Sequence, residues 1–251
     1  MDVCVCIKRV PMAGGRIPLT PDGQDIDAEY LGFTISPHEE CAVEEAARIV
    51  EKHGGTVTVL TVGPEGAAEQ LRGALAVGAQ QALLLETDGR EWGPVATADA
   101  VAEAIRQRGP FDLVLFGNES ADSGGYQVGV RVAHQLDLPV VTGAKAVEIG
   151  DAGARVRREY RGVGEIFELT LPAVITVKEG INMPRYPSLP GRLRAKKAPI
   201  DRMTPGWHEE ALSKRLLRVP VAEQPGAEVL GTGADAVPRL VGLLEELGIL
   251  A

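Results

Sequence analysis

Short apolar runs alternate with amphipathic segments through the first half of the chain. The runs are continuous and rich in β-branched and aliphatic residues, which is typical of strands buried on both faces of a parallel sheet. The predicted strands are 3–10, 56–63, 81–87 and 111–117. The predicted helices are 36–55, 63–78, 95–109 and 126–139, and the polar, glycine-rich stretch 11–32 predicts a hairpin or long loop.

The first helix has clear end signals. Ser36 and Glu39 have the spacing of a capping box, and Pro37 occupies the first helical position. The pair Gly54-Gly55 ends the helix. Its predicted buried face consists of Ala42, Val43, Ala46, Ala47 and Val50.

This alternation predicts an α/β fold, with a mostly parallel sheet covered by helices on both faces. In such a sheet the ligand crevice lies beyond the carboxyl ends of the strands. This rule predicts that four segments border the ligand crevice. They are the end of the first strand, the turn 36–39, the turn 62–64 and the segment after residue 117.

The pattern changes after residue 140. Segments 145–150, 154–162 and 164–172 alternate polar and apolar residues between glycines, which predicts an antiparallel hairpin or meander. A further buried strand is predicted at 172–180, and an amphipathic helix at 235–250. We expect an α/β domain over 1–200, followed by an arm and helix over 201–251 that pack on a partner chain.

Composition narrows the function. A formal net charge of −9 and only 4% aromatic residues argue against nucleic-acid binding. No apolar run reaches membrane-spanning length, so we expect no direct membrane insertion. The opening residues lead straight into a strand, so no signal peptide is expected. Three cysteines suggest a reducing compartment, and we expect a cytoplasmic location.

Residues 117–129, GNESADSGGYQVG, form the most informative stretch. It follows a buried strand and precedes a helix whose first amides would favour an anion such as phosphate. Its composition also suits a plain strand-to-helix turn, and its order matches neither a P-loop nor a dinucleotide fingerprint.

Other polar residues suggest no catalytic machinery or metal site. Ser36 and Glu39 are consistent with a helix cap, a nucleotide-pocket border, or both. Cys4 and Cys6 share one strand face without a partner pair at metal spacing, so we expect them to be structural. The four histidines are scattered, and Glu44-Glu45 is expected to be surface charge on a helix.

Residues 181–197, INMPRYPSLPGRLRAKK, contain three prolines and five basic residues in an acidic protein. Such an irregular, pre-stiffened loop could be a solvated connector. Alternatively, its apolar tip at Tyr186 and Leu189 would dock on an acidic, partly apolar partner at little entropic cost.

Several motifs in order resemble the β subunit of electron transfer flavoproteins, and the resemblance spans nearly the whole chain. The most specific motif is NMPRYPSLPGRLRAKKAPI. The others are VCVCIKRV, ISPHEECAVEEAARI, TVGPEGAAEQLRGALAVGA, DLVLFGNESADSGGYQVG, RREYRGVGEIFELTLPAVITV and AVPRLVGLLEELGIL.

The resemblance implies an adenine nucleotide α-hydrolase-like fold without hydrolase activity, and a structural AMP. It implies a heterodimer with an α subunit that holds most of the redox FAD. Electrons would pass from acyl-CoA and other dehydrogenases, as in fatty acid oxidation, to a membrane quinone oxidoreductase. The implied AMP contacts are Cys6, Ser36, Pro37, His38, Glu39, Val62, Gly117, Asn118, Glu119, Ser120, Ala121, Asp122, Ser123, Gly124, Gly125, Tyr126, Gln127 and Val128.

Two motifs depart from the family. Its frequent Asn-Pro-Phe-Cys turn is replaced by 36–39, and its Asp-rich loop is less acidic here. Asp122, Gln127 and Gly129 keep the family's residues. Backbone contacts to the nucleotide are therefore expected to survive better than side-chain contacts.

In the family, the segment matching 181–197 anchors the dehydrogenase through a leucine, which corresponds to Leu189. Glu159 matches a family glutamate near the flavin. We expect Tyr186 to join Leu189 in the partner contact, and the nearby basic residues to steer acidic partners. These are Arg185, Arg192, Arg194, Lys196 and Lys197.

Three alternatives remain at this point. In an electron-bifurcating relative, a second FAD would replace AMP. A stand-alone nucleotide-binding enzyme would need a phosphate loop directly after the first strand, where Lys8-Arg9-Val10-Pro11 stands instead. A purely structural subunit would bind no nucleotide.

Overall fold

The computed structural model describes residues 1–12, 14, 17–209, 212–220 and 228–250. The chain divides into two units, Met1–Arg215 and Leu216–Ala251. The strands are β1 Asp2–Cys6, β2 Val10–Pro11, β3 Phe33–Thr34, β4 Thr56–Gly63, β5 Gln81–Glu86, β6 Leu113–Gly117, β7 Val140–Gly150, β8 Gly153–Tyr160, β9 Val163–Leu169, β10 Ala173–Val177 and β11 Asp201–Met203. The helices are α1 Pro37–His53, α2 Ala68–Val77, α3 Pro94–Arg108, α4 Val128–Gln135, α5 Leu189–Lys197 and α6 Val237–Glu246.

Within the described residues, nine strands form one sheet in the order β11-β5-β4-β1-β6-β10-β7-β8-β9. The strands from β11 to β7 pair in parallel, and β7, β8 and β9 form the predicted antiparallel meander. A separate ladder pairs β2 with β3. The α/β fold with a mostly parallel sheet is confirmed.

Strand β1 shows how the sheet is covered on both faces. Its side chains alternate, so Val3 and Val5 join the apolar cluster that includes α1 and α2. Cys4 and Cys6 join the opposite cluster, which includes α3 and α4. The cysteines are buried and free, as expected for structural thiols.

Helix α1 begins and ends where its sequence signals predict. Ser36 precedes it, and Gly54 and Gly55 follow it with φ values of 74° and 113°. Side chains disfavour that region, which explains the glycine pair. All five residues of the predicted apolar face are buried: Ala42, Val43, Ala46, Ala47 and Val50.

Two expectations about regular structure are wrong. The first strand ends at Cys6 rather than at residue 10, because Val10–Pro11 pairs with Phe33–Thr34 instead. The basic segment 181–197 is irregular only up to Ser188, and Leu189–Lys197 is helical. Ser188 caps this helix by accepting a hydrogen bond from the Gly191 amide, and Pro190 lies in its first turn, where proline is tolerated.

The chain after residue 200 contributes a strand that its polar sequence did not indicate. β11 pairs in parallel with β5, from Asp201 opposite Leu83 to Met203 opposite Leu85. In the second unit, α6 confirms the predicted closing helix. None of the described helices is long and apolar enough to cross a lipid bilayer.

Candidate functional site

The four loops selected from the sequence meet at the carboxyl edge of the parallel sheet. β1 lies between β4 and β6, and Cys6 aligns with Leu60 on one side and Phe116 on the other. Val62, next to the last residue of β4, and Gly117, the last residue of β6, therefore lie on either side of the end of β1. The N-terminus of α1 and the loop 118–127 complete this edge, which we call the cleft.

Ser36 joins two of these loops. Its backbone amide donates to Glu39 Oε2 at 2.9 Å, as in a capping box. Its hydroxyl oxygen accepts a hydrogen bond from the Ala121 amide at 2.9 Å. Ser36 can therefore cap α1 and border the cleft at the same time, the two roles that the sequence left open.

Gly117 allows the end of β6 to approach α1 closely. A β-carbon on Gly117 would lie 2.7 Å from Glu39 Cγ and 3.2 Å from His38 Cβ. Real side chains do not tolerate the shorter contact, so only glycine fits without a local shift. The carboxyl end of β6 is thereby held against the first turn of α1.

Lys8 is a cleft residue that the sequence analysis did not select. Its ammonium lies 2.6 Å from Asp122 Oδ2 and 3.5 Å from Ser123 Oγ. Ser123 Oγ is also 2.8 Å from Ser120 Oγ. The position of Lys8 just beyond the first strand was the one sequence signal that could have marked it as a cleft residue. Its partner Asp122 lies 114 residues later in the chain, which the sequence did not indicate.

Thr176 and Gly143 were also missed. The Thr176 hydroxyl donates to Asn118 Oδ1 at 2.7 Å and accepts from the Gly143 amide at 3.0 Å. Thr176 comes from β10, which pairs with β6, and Gly143 comes from β7, the next strand beyond β10. These bonds fix the Asn118 side chain at the start of the cleft loop.

Three consecutive amides just before α4 are among those in the cleft loop that have no partner in the described structure. Among the described residues, the backbone N–H groups of Gly125, Tyr126 and Gln127 have no hydrogen-bond partner. Gly124 and Tyr126 adopt φ values of 54° and 55°, which turn the chain just before α4. Consecutive amides at a helix start suit a phosphate.

Burial controls the charge of the cleft. It raises the pKa of Glu39 to about 8, so this carboxyl group is largely protonated at neutral pH. Burial, with Cys4 and Glu39 nearby, also raises the pKa of the Cys6 thiol. Burial opposes ionisation of Asp122, yet its hydrogen bond from Lys8 holds the pKa of Asp122 below the ordinary value.

His38 and Glu119 lie at the mouth of the cleft. Burial lowers the pKa of His38 despite Glu119, whose Oε1 is 3.8 Å from His38 Nε2. His38 Nδ1 is buried without a partner among the described residues. A hydrogen bond to Glu119 raises the pKa of Tyr126. The described structure therefore leaves one buried ring nitrogen of His38 unsatisfied.

The segment 181–197, which we call the docking segment, exposes its apolar side chains. Tyr186 is 94% exposed and Leu189 is 71% exposed. Arg192, Arg194, Lys196 and Lys197 are exposed as well. Arg185 differs, because its guanidinium binds the carboxylates of Glu44 and Glu51.

Glu44 corrects an expectation. The Glu44-Glu45 pair was expected to be surface charge, but Glu44 is only 1% exposed. Arg185 and Arg48 cover its carboxylate. Glu159 lies apart from the cleft on β8, exposed, with Oε1 2.9 Å from Arg157 Nη1.

No group of three or more His, Cys, Asp or Glu side chains in the described part of the chain is arranged to hold a metal ion. The cleft offers backbone amides, a Lys8–Asp122 ion pair and the protonated carboxyl group of Glu39 instead. This chemistry suits recognition of a nucleotide by hydrogen bonds.

Comparison with known protein families shows which class of protein this chain resembles. Residues 26–206 match the family model described as the electron transfer flavoprotein domain. "Electron transfer flavoprotein subunit beta" of Bacillus subtilis is 37% identical over 254 residues, covering 97% of both chains. The human subunit beta is 33% identical, covering 99% of this chain and 98% of its own. The Mycobacterium tuberculosis subunit beta is 39% identical over 81% of this chain and 79% of its own.

This chain therefore belongs to the electron transfer flavoprotein family, as its motifs indicated. Within that family it is a member of the beta-subunit group.

Proposed function

We propose that the protein is the β subunit of a heterodimeric electron carrier. An α subunit would hold most of the redox FAD at the subunit interface, and that FAD supplies the electron chemistry when bound. The heterodimer would accept electrons from acyl-CoA and related dehydrogenases and pass them to a membrane quinone oxidoreductase. Support comes from the family assignment and from relatives aligned over nearly the whole chain.

The cleft would hold one AMP. The observation that carries this proposal is that four separate loops meet at one edge of the sheet, and one of them has three consecutive unpartnered amides. Gly117 permits this packing because it has no side chain to clash with Glu39. The amides of Gly125, Tyr126 and Gln127 suit the phosphate, and Lys8 lies beside the same loop.

Neutral groups would line the rest of the AMP site. Glu39 and Cys6 carry little charge at neutral pH because burial raises the pKa of each. A neutral wall avoids repulsion of the phosphate by a buried carboxylate. His38 Nδ1, which lacks a partner among the described residues, is the available side-chain contact.

The docking segment would bind the dehydrogenase. Leu189 is an exposed apolar anchor on the first turn of α5, and four exposed basic residues flank it. An apolar anchor with a charged rim is a common arrangement at interfaces. Glu159, exposed on β8, would contribute to the contact with the flavin-bearing domain.

The test is to purify the protein from its own host with whatever co-elutes, denature it, and quantify the released nucleotides. One FAD and one AMP per heterodimer are expected. Two FAD without AMP would replace the proposal by electron bifurcation. Release of no flavin, with no second chain, would overturn the electron-carrier function.

A further inference from the structure

Residues 182–185 of the docking segment lie along one face of α1 and are attached to it by an ionic cluster built around one buried carboxylate. Glu44 is the centre of this cluster and is almost completely buried. Its Oε2 accepts hydrogen bonds from the Arg185 backbone amide at 3.1 Å and from Arg185 Nε at 2.8 Å. Its Oε1 accepts from Arg185 Nη2 at 3.1 Å and from Arg48 Nε at 2.6 Å.

Arg185 also contacts Glu51, which lies about two turns beyond Glu44 on α1. Its Nη2 donates to Glu51 Oε2 at 3.0 Å, and its Nη1 donates to Glu51 Oε1. Glu44, Arg48 and Glu51 are spaced by four and three residues, so they share one face of α1. The planar guanidinium therefore bridges two carboxylates about two turns apart.

Neighbouring residues hold the backbone on either side of Arg185. Asn182 Nδ2 donates to Cys41 O at 3.0 Å and to Glu45 Oε2 at 2.8 Å. Arg48 Nη2 donates to Met183 O at 3.2 Å. The path of residues 182–185 is thus fixed by backbone contacts as well as by ion pairs.

The helical end of the docking segment is attached to α2. A β-carbon on Gly191 would lie 2.5 Å from Ala76 O, so the two helices are in close contact there. Arg72 Nη1 donates to Ala195 O at 2.7 Å and to Lys196 O at 3.1 Å, which satisfies carbonyl groups at the end of α5. Tyr186 and Leu189 lie between the two attachments and remain exposed.

We propose that Arg185 and Glu44 are positioning residues that hold the docking segment in its partner-binding conformation before the partner arrives. Arg185 therefore acts by geometry within the chain and not by attracting acidic partners. This inference rests on the proposed docking function of Leu189. It assigns Glu44, a residue inside the fold, to partner binding.

Energetics support the assignment. A buried carboxylate is costly unless every lone pair finds a donor, and such clusters are retained for conformational specificity in some proteins. Burial opposes ionisation of Glu44, but hydrogen bonds from Arg185 and Arg48 keep the pKa of Glu44 below its ordinary value. An ordered loop loses less conformational entropy on binding than a mobile one.

Two variants separate positioning from steering. Arg185→Lys keeps the positive charge but cannot bridge Glu44 and Glu51 through a planar fork. Glu44→Gln makes the segment more positive, so steering predicts faster association while positioning predicts weaker binding. Arg192→Lys, at an exposed basic residue of the same segment, and Glu103→Gln, at an exposed carboxylate on α3, are the matched controls.

The first measurement uses the intact heterodimer without a partner. Amide hydrogen exchange is measured across the whole chain in wild type and variants. We expect roughly tenfold faster exchange at 183–193 in Arg185→Lys and Glu44→Gln, with unchanged exchange in β1, β4 and β6. Wild-type exchange rates in that segment would overturn the proposal.

The second measurement is reduction of the bound flavin by an acyl-CoA dehydrogenase from the same host. For both variants we expect the KM for the heterodimer to rise roughly tenfold, with kcat within about twofold of wild type. Reduction by dithionite and FAD content should not change. A normal KM for Arg185→Lys, or a lower KM for Glu44→Gln, would support steering and contradict positioning.

Failure of the proposed function would look different. If wild-type heterodimer accepts no electrons from dehydrogenases while the variants still show faster exchange at 183–193, the docking function fails. The structural attachment would then stand without a role in partner binding. If a variant does not assemble with the α subunit, Glu51→Gln, at an exposed carboxylate of the same cluster, provides a milder disruption for the exchange measurement.

Discussion

Gly117 and Glu39 come so close that a β-carbon on the glycine would lie 2.7 Å from Glu39 Cγ. The contact joins the end of β6 to the first turn of α1, where two loops of the cleft meet. The same β-carbon would also lie 3.1 Å from the Glu39 backbone nitrogen. Side-chain rotation alone cannot relieve the second contact.

Gly117→Ala should therefore destabilise the protein by about 1–3 kcal/mol, the usual cost of overpacking, and reduce the AMP that co-purifies. Thermal unfolding and nucleotide quantification provide the two measurements. The matched control is Gly73→Ala on α2, where a β-carbon meets nothing within 4 Å. That change should stabilise the helix by about 0.5–1 kcal/mol. Equal behaviour of the two variants would contradict the close contact.

Glu39 should make stability depend on pH. Its folded pKa of about 8 lies above the ordinary value of 4.5, so the folded state favours the protonated form. Its contribution to stability is full below the ordinary pKa and is lost as pH rises through about 8. Glu39→Gln, which cannot ionise, should become more stable relative to wild type between about pH 5 and pH 9, by up to a few kcal/mol.

Urea unfolding at several pH values gives this difference directly. Glu168→Gln, at an exposed carboxylate on β9, is the control substitution for the loss of one negative charge. A constant difference between Glu39→Gln and wild type across this range would mean that Glu39 is ionised in the folded protein.

Lys8 and Asp122 should act as a coupled pair in nucleotide binding. Lys8→Ala leaves the Asp122 carboxylate unpaired beside the proposed phosphate site, so we expect roughly tenfold or greater loss of AMP affinity. Removing both charges, with Lys8→Ala and Asp122→Asn together, should recover part of this loss. Calorimetric titration of AMP into nucleotide-stripped protein measures Lys8→Ala, Asp122→Asn and the double variant, and strictly additive effects would argue against coupling.

Leu189→Ala should affect the partner and not the fold. The side chain is 71% exposed, so its truncation should change the unfolding free energy by no more than about 0.5 kcal/mol. Flavin reduction by an acyl-CoA dehydrogenase should slow, with a cost of about 2 kcal/mol if Leu189 is a central anchor. AMP and FAD content should match wild type. An unchanged reduction rate would show that Leu189 is not the anchor.

Local patterns in the sequence determined most of the architecture. Continuous apolar runs specify strands buried on both faces, and capping and glycine signals placed α1 between Pro37 and His53. The parallel sheet then implied a crevice at the carboxyl ends of the strands, and its four loops do meet there. These features follow from short-range periodicity and backbone preferences, which a sequence displays directly.

Tertiary structure decided the features that depend on pairs distant in the chain. Lys8 meets Asp122, Thr176 meets Asn118, and Glu44 is buried because Arg185 covers it from 141 residues away. Helical spacing marks Glu44 as one of several charges on α1, and only the path of the docking segment distinguishes a buried carboxylate from a solvated one. Burial and charge pairing are set by which elements become neighbours, and no local pattern carries that information.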